Sequence, residues 1–179
     1  IGQIMAFEVS KELTYAPEEV TTPLAVAKME IIQDPIVLGT ILRAGLPLHQ
    51  GFLDMFDHAE NAFVSAYRKE MENEEGQVQL EIVSEYLAAP TLENKTLLLI
   101  DPMLATGGSA IATIDRLKKD GVKKINFLCV IAAPEGVEAL KKAHKDVKIY
   151  CACVDRCLNE NGYILPGLGD AGDRVYGTK

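Results

Sequence analysis

The stretch Leu97–Ala112, LLLIDPMLATGGSAIA, constrains this chain more than any other. The apolar run Leu97–Ile100 is short for a helix and suits a buried strand. Asp101 closes it, and a loop of small and polar residues follows: Pro102, Thr106, Gly107, Gly108 and Ser109. Ala110, Ile114 and Leu117 then recur at helical spacing, so the stretch reads as strand, loop, helix. That order aims loop N–H groups and a helix N-terminus at one point, which suits a phosphate. Thr106 and Ser109 add hydroxyl donors, and the glycines let a ligand approach the backbone. A Gly-Gly after a strand is also often a plain tight turn, and spacing alone leaves both readings open. No Lys follows the glycines and no GxGxxG occurs, so nucleoside triphosphatase and dinucleotide-binding readings lose support.

A chain of 179 residues can bury a real core and reads as one domain. With 48% apolar and 25% charged residues, its composition is that of a globular protein. The net charge of −8 disfavours duplex nucleic acid or an anionic membrane as the main partner, while leaving room for a local basic pocket. No apolar run approaches the roughly 20 residues of a membrane span, and no signal-peptide pattern opens the chain. Four cysteines without framework spacing point to a reducing, cytoplasmic setting. The chain lacks Trp, so stacking platforms for single-stranded nucleic acid are not expected.

Along the chain, Ile1, Ile4, Met5, Val9 and Leu13 fall near one face of a first helix. Tyr15–Thr22 and Leu24–Ile32 give a weak strand–turn–strand pattern. Ile36–Leu42 reads as a buried strand behind Pro35, ending in Arg43-Ala44-Gly45. A cation at a strand end can be a surface residue at a turn or the start of an anion loop. His49 reads as a partly exposed helix residue rather than a proton carrier, because no partner is visible. Gly51–Phe56 continues a helix, and Ala62–Ala66 is another strand. Lys69–Gln77 is acidic and reads as a solvated, flexible loop, and Val78–Tyr86 alternates like a half-exposed strand. Gly121 is the expected C-cap of the helix after the glycine loop. Asn126–Ala132 and Val147–Val154 read as strands, with a helix containing Leu140 between them. Glu135 reads as a helix N-terminal charge. Cys151, Cys153 and Cys157 match no zinc spacing and read as buried, small apolar residues. Gly162–Gly172 is too rich in Gly and Pro for a regular element.

Two strings carry a resemblance to a known family. DPMLATGGSA and YILPGLGDAGDR are long, specific, and similar to the uracil phosphoribosyltransferases, within the type I phosphoribosyltransferase superfamily. ILRAG and Tyr67-Arg68 resemble the same family in the expected order, as does AAPEGV (132–137), which in the family lies beside the base pocket, although the helix N-terminal charge is the preferred reading of Glu135. The position before Asp101 is Ile100, where the superfamily usually has a second acidic residue; the uracil branch shares this departure. The resemblance implies an α/β fold: a mostly parallel sheet flanked by helices, a β-hairpin arm that reaches a partner subunit, and a C-terminal hood at about 155–179. It implies that Asp101, Pro102, Met103, Leu104, Ala105, Thr106, Gly107, Gly108 and Ser109 bind 5-phosphoribosyl 1-diphosphate (PRPP), with Asp101 on the ribose hydroxyls. Arg43 and Arg68 would hold the leaving diphosphate, Arg68 from the start of a closing loop. The usual family string has an Asp where this chain has Lys69. Ile164 and the backbone of Gly169, Asp170 and Ala171 would contact uracil, Asp170 also facing PRPP. Whether Asp173 and Arg174 pair with each other or with the core stays open. Family members carry a further stretch ahead of the position of Ile1, so an N-terminal segment is expected to be missing.

The implied reaction joins uracil to PRPP, giving uridine 5′-monophosphate (UMP) and diphosphate. Asp101, Arg43 and Arg68 are the catalytic candidates, and no general base stands out. Mg²⁺ is implied as a cofactor held mainly through PRPP rather than by protein ligands. A homo-oligomer is expected, and GTP is a candidate effector because some family members respond to it. The rivals are a regulator on the same fold that binds PRPP or UMP without catalysis, and an enzyme for a purine or orotate. A regulator that also binds RNA would need a basic face that a charge of −8 supports poorly. Orotate would need a cation for its carboxylate, for which the hood offers only Arg174.

Overall fold

The computed structural model describes all residues except 66, 73–77, 84, 85 and 179; for 67–72 and 78–83 it describes the backbone alone. In chain order the elements are α1 (Gly2–Ser10), β1 (Tyr15–Thr21), β2 (Val26–Ile32), β3 (Ile36–Leu42), α2 (Leu46–Leu53), β4 (Glu60–Ser65), β5 (Tyr67–Glu72), β6 (Val78–Val83) and β7 (Leu87–Ala88). Then come β8 (Thr96–Ile100), β9 (Met103–Leu104), α3 (Gly108–Lys119), β10 (Lys124–Ala132), α4 (Pro134–Ala143), β11 (Lys148–Val154), β12 (Cys157–Leu158), β13 (Ile164–Leu165) and α5 (Ala171–Tyr176).

The main sheet runs β11-β10-β8-β3-β4-β7, with β9 added to β10. Its pairings are parallel except β4 with β7. All five residues of β8 are buried, because the strand is covered on both faces, which explains its unbroken apolar run. Successive side chains serve opposite layers. Leu97 and Leu99 pack with Ile114, Leu117, Phe127 and Leu140 on the α3/α4 side. Leu98 and Ile100 pack with Met5, Val9, Phe52 and Leu128 on the α1/α2 side. The chain leaves β3 for α2 on one face and β8 for α3 on the other. The C-terminal ends of β3 and β8 therefore flank a switch point, the place where ligands bind in open α/β sheets.

The first helix buries Gly2, Met5, Ala6 and Val9. Ile1 and Ile4, expected on that face, are exposed together with Phe7. The strand–turn–strand pattern is the antiparallel hairpin β1–β2, registered from Tyr15 opposite Ile32 to Thr21 opposite Val26. The turn between α3 and β10 is closed by Gly121 N–H to Lys118 O (3.2 Å) and Val122 N–H to Leu117 O (3.4 Å). These are the two bonds of a Schellman ending, with Asp120 as the cap and Gly121 one place beyond it.

Three expectations are corrected. Lys69–Glu72 is not loop but part of β5, paired antiparallel with β6; residues 73–77 lie outside the described part. Gly162–Gly172 contains regular elements after all: β13 pairs with β12, and α5 begins at Ala171 behind an Asp170 N-cap. His49 is buried, with 4% of its surface exposed. Its Nδ1 lies 2.5 Å from the Thr40 hydroxyl, and its ring lies 5.4 Å from that of Phe63. The missing partner is Thr40 on β3, a contact made when α2 packs back on the strand that leads into it.

Candidate active site

The turn after β8 is built by the backbone. Asp101 N–H bonds Leu128 O at 3.1 Å, and the Pro102 carbonyl accepts from Val130 N (3.0 Å) and Ile131 N (3.1 Å). These bonds hold β9 against the end of β10, and Leu104 O then accepts from Ala133 N at 2.9 Å. Gly107 makes the corner at φ +82° and is the N-cap of α3, a left-handed conformation that suits Gly. The N-cap residue makes no side-chain cap bond, and Thr106 Oγ1 accepts only a long bond from Gly108 N–H, 3.5 Å, so the first-turn N–H groups can donate to an anion in the cleft. The Asp101 carboxylate sits at the foot of that cleft. Burial pushes its pKa up to about 7, and the charge of Asp170 adds to the rise, against a weak bond from Met103 N–H.

Arg43 follows β3 across a cis peptide from Leu42. Its Nη2 donates to Asp173 Oδ1 (3.3 Å) and Thr178 Oγ1 (3.0 Å). The guanidinium lies 5.7 Å from the Tyr176 ring centre, and the Tyr176 hydroxyl donates to the Arg43 carbonyl at 3.0 Å. The strand-end cation is thus held by the C-terminal segment, across the mouth of the cleft.

That segment forms the third wall. Gly167 N–H bonds Asp155 Oδ2 at 2.9 Å, and Glu135 Oε1 accepts from Leu158 N–H at 3.0 Å. Asp170 Oδ1 accepts from Asp173 N–H at 2.8 Å, capping α5. The glycine loop, the Arg43 turn and the C-terminal segment line one cleft of about 690 Å³.

A family model described as uracil phosphoribosyltransferase matches residues 1–178. The chain belongs to the uracil phosphoribosyltransferase family. A relative of that name from Porphyromonas gingivalis is 45% identical over 181 residues, covering 100% of this chain and 82% of its own. The structure of the AQ2163 protein from Aquifex aeolicus superposes with a TM-score of 0.86 at 34% identity, covering 99% of this chain and 83% of that one. A hypoxanthine phosphoribosyltransferase from Staphylococcus aureus gives 0.54 at 15% identity over 98% of this chain and 86% of its own. That more distant likeness shows the shared α/β phosphoribosyltransferase fold.

Measured against the family's expected site, the cleft brings together Arg43, Asp101, every residue from Met103 to Ser109, Ile164, Gly169, Asp170 and Ala171. Pro102 does not line it; its carbonyl accepts from Val130 and Ile131 N–H of β10. Arg68 lies on β5, and its side chain is outside the described part. Sequence reasoning did not foresee Asp173, Tyr176 and Thr178 as the partners of Arg43, although it left the partner of Asp173 open. Only the juxtaposition of residues 43 and 173–178 reveals them. Among the described residues no group of His, Cys, Asp or Glu side chains forms a metal-binding set. Cys129 and Cys151 stand in register on β10 and β11. None of the three cysteines read as buried is so: Cys151 and Cys157 are half-buried and Cys153 is exposed, on or just beyond the edge strand β11. No helix among the described residues is long and apolar enough to cross a membrane.

Proposed function

We propose that this protein transfers the 5-phosphoribosyl group of PRPP to uracil, giving UMP and diphosphate. The observation that carries this reading is the opposition of phosphate loop and hood across one cleft, with Asp101 between them. The loop from Ala105 to Ser109 takes the 5-phosphate on backbone N–H groups and the Thr106 and Ser109 hydroxyls. Asp101 holds the ribose hydroxyls and favours the positive charge that develops on the ring as the C1–O bond loosens. Arg43 exchanges Asp173 and Thr178 for diphosphate oxygens, which its planar fork suits; Arg68 is assigned the same leaving group.

The hood reads uracil by its alternating acceptors and donor, through Ile164 and the backbone of Gly169, Asp170 and Ala171. Cytosine carries an amino group where uracil has O4, which leaves backbone donors unpaired and costs affinity. Much of the rate comes from holding uracil N1 against C1.

Asp101 and Asp170 both line the cleft and supply hard carboxylate oxygens, the kind of donor that Mg²⁺ takes beside substrate phosphates. Such a donor set fits Mg²⁺ held chiefly by PRPP oxygens; when bound, the ion neutralises diphosphate charge. The hairpin arm serves a homo-oligomer, the setting is the cytoplasm, and GTP is assigned as an effector on family grounds.

The test is product formation from uracil and PRPP with Mg²⁺, beside cytosine, orotate and hypoxanthine, with and without GTP. Turnover of uracil alone supports the assignment. A folded protein that binds PRPP and turns over none of these bases overturns it.

A further inference from the structure

The two halves of the cleft come from distant parts of the chain, and they meet at the first turn of α4. On one side this turn lies against the phosphate loop. Ala133 N–H bonds Leu104 O at 2.9 Å, and a Cβ placed on Gly136 would fall 2.2 Å from Ala105 O and 2.8 Å from Leu104 O. Only Gly permits that approach, and it fixes α4 to the loop without slack. On the other side the same turn holds the hood. Leu158 pairs with Ile164, the hood residue assigned to uracil. The bond from Asn159 N–H to Tyr163 O, 2.8 Å, brackets that pair, which directs the N–H of Leu158 away from β13. The hairpin itself leaves this donor over, and Glu135 Oε1 accepts it at 3.0 Å.

We infer that Glu135 is a positioning residue that sets the base-binding hood at a fixed distance from the ribose-phosphate loop. The inference rests on the assignment of residues 155–179 as the uracil hood. Its chemistry is that of a rigid spacer. One residue, Gly136, packs on the loop assigned to the 5-phosphate of PRPP, and its neighbour bonds the strand pair assigned to the base. If the hood drifts, uracil N1 loses its alignment with C1 while the phosphate loop keeps its own shape. The direction of the Glu135 pKa agrees: the Leu158 N–H, then the residue's own N–H, hold the carboxyl below its usual value.

The competing explanation is a plain helix N-terminal charge, since Glu135 lies in the first turn of α4. Two substitutions separate the two. Glu135→Gln removes the charge but keeps an acceptor oxygen; Glu135→Ala removes both. Steady-state kinetics with uracil and with PRPP, and thermal unfolding, are measured for both variants and for Glu138→Ala, an exposed acidic residue of the same helix without a hood contact. The spacer role predicts that Glu135→Ala raises the uracil KM by roughly three- to tenfold. The PRPP KM stays within about twofold, and discrimination against cytosine narrows. Glu135→Gln stays near the wild type in uracil KM, and Glu138→Ala does not change it.

An unchanged uracil KM in Glu135→Ala overturns the inference, whatever happens to Tm. So does a parallel rise in both KM values, which would mark general loosening. A wild-type protein inert toward uracil overturns this reading together with the function. A wild type that turns over uracil while Glu135→Ala matches it overturns the spacer alone.

Discussion

Asp101 carries two opposed demands. The role proposed for it needs the carboxylate, while burial, aided by Asp170, raises its pKa to about 7. In the free protein kcat/KM for PRPP should therefore rise with pH through about 7 and level off above it. Asp101→Asn should lose at least about a hundredfold in kcat and flatten that profile. Linkage gives the stability counterpart. The folded-state value lies above that of an unfolded Asp, so the fold favours the protonated form. Its stabilising contribution is full at acid pH and is lost as pH climbs through about 7. Asp101→Asn should accordingly unfold at a higher temperature than the wild type at pH 8, a difference that calorimetry reads directly. His49 is the opposite case. Burial lowers its pKa, with Asn61 opposing, so the neutral ring is the folded form. Wild-type stability falls as pH drops through the ordinary His range toward the lowered value. His49→Ala leaves a cavity and strands the Thr40 hydroxyl, 2.5 Å from Nδ1 in the native protein. It should cost about 2–4 kcal/mol by urea denaturation.

Between elements, the end of the sheet opposite the cleft is tied by one carboxylate. Asp34 accepts from Thr14 N–H (2.6 Å), Lys124 Nζ (2.7 Å) and Thr96 Oγ1 (3.2 Å). Those bonds join the foot of the hairpin to β8 and β10. Burial pushes the Asp34 pKa up, but Lys124 and the Thr14 N–H outweigh it, and the net direction is down. A depressed carboxylate stabilises above the unfolded value and loses that contribution as pH falls through the folded one. Asp34 keeps 9% of its side chain exposed; Asp34→Ala strands the buried Thr96 hydroxyl and unpairs the more exposed Lys124 and Thr14 N–H, and should cost about 1–2 kcal/mol at pH 7, shrinking toward pH 2. The elements this staple joins were legible before the structure. β3, β8 and β10 announced themselves as unbroken apolar runs, and α3 by the spacing of Ala110, Ile114 and Leu117. α5 and β13 were not, because their glycines and prolines mask a six-residue helix that exists through its Asp170 cap and its seat beside Arg43. Pattern reading registers periodicity; it does not register a short element stabilised by tertiary bonds.

At the scale of the whole molecule, the site was legible as two strings, and the distance between them was not. DPMLATGGSA and YILPGLGDAGDR each pointed to the family, yet nothing local places Leu158 beside Glu135 or Asp173 beside Arg43. Those contacts depend on the order of strands in the sheet. The same limit applies to the surface. Hairpin β1–β2 projects Val20, Leu24, Val26 and Met29 into solvent, with Leu24 96% exposed, and α1 adds Ile4 and Phe7. An exposed apolar row of this extent calls for a cover, and a second copy of the chain is the cover that the family's hairpin arm implies. Sedimentation at micromolar concentration should then give a species of at least twice the chain mass. Replacing Leu24 and Val26 together by Asp should shift it toward the monomer. Neither position lines the cleft or bonds Asp34, so the monomer should still unfold cooperatively, at a Tm lowered only by the lost partner, and any loss of turnover would measure what the partner supports. A wild-type protein that sediments as a monomer would leave the apolar arm without the partner proposed for it and would remove the oligomer from this reading.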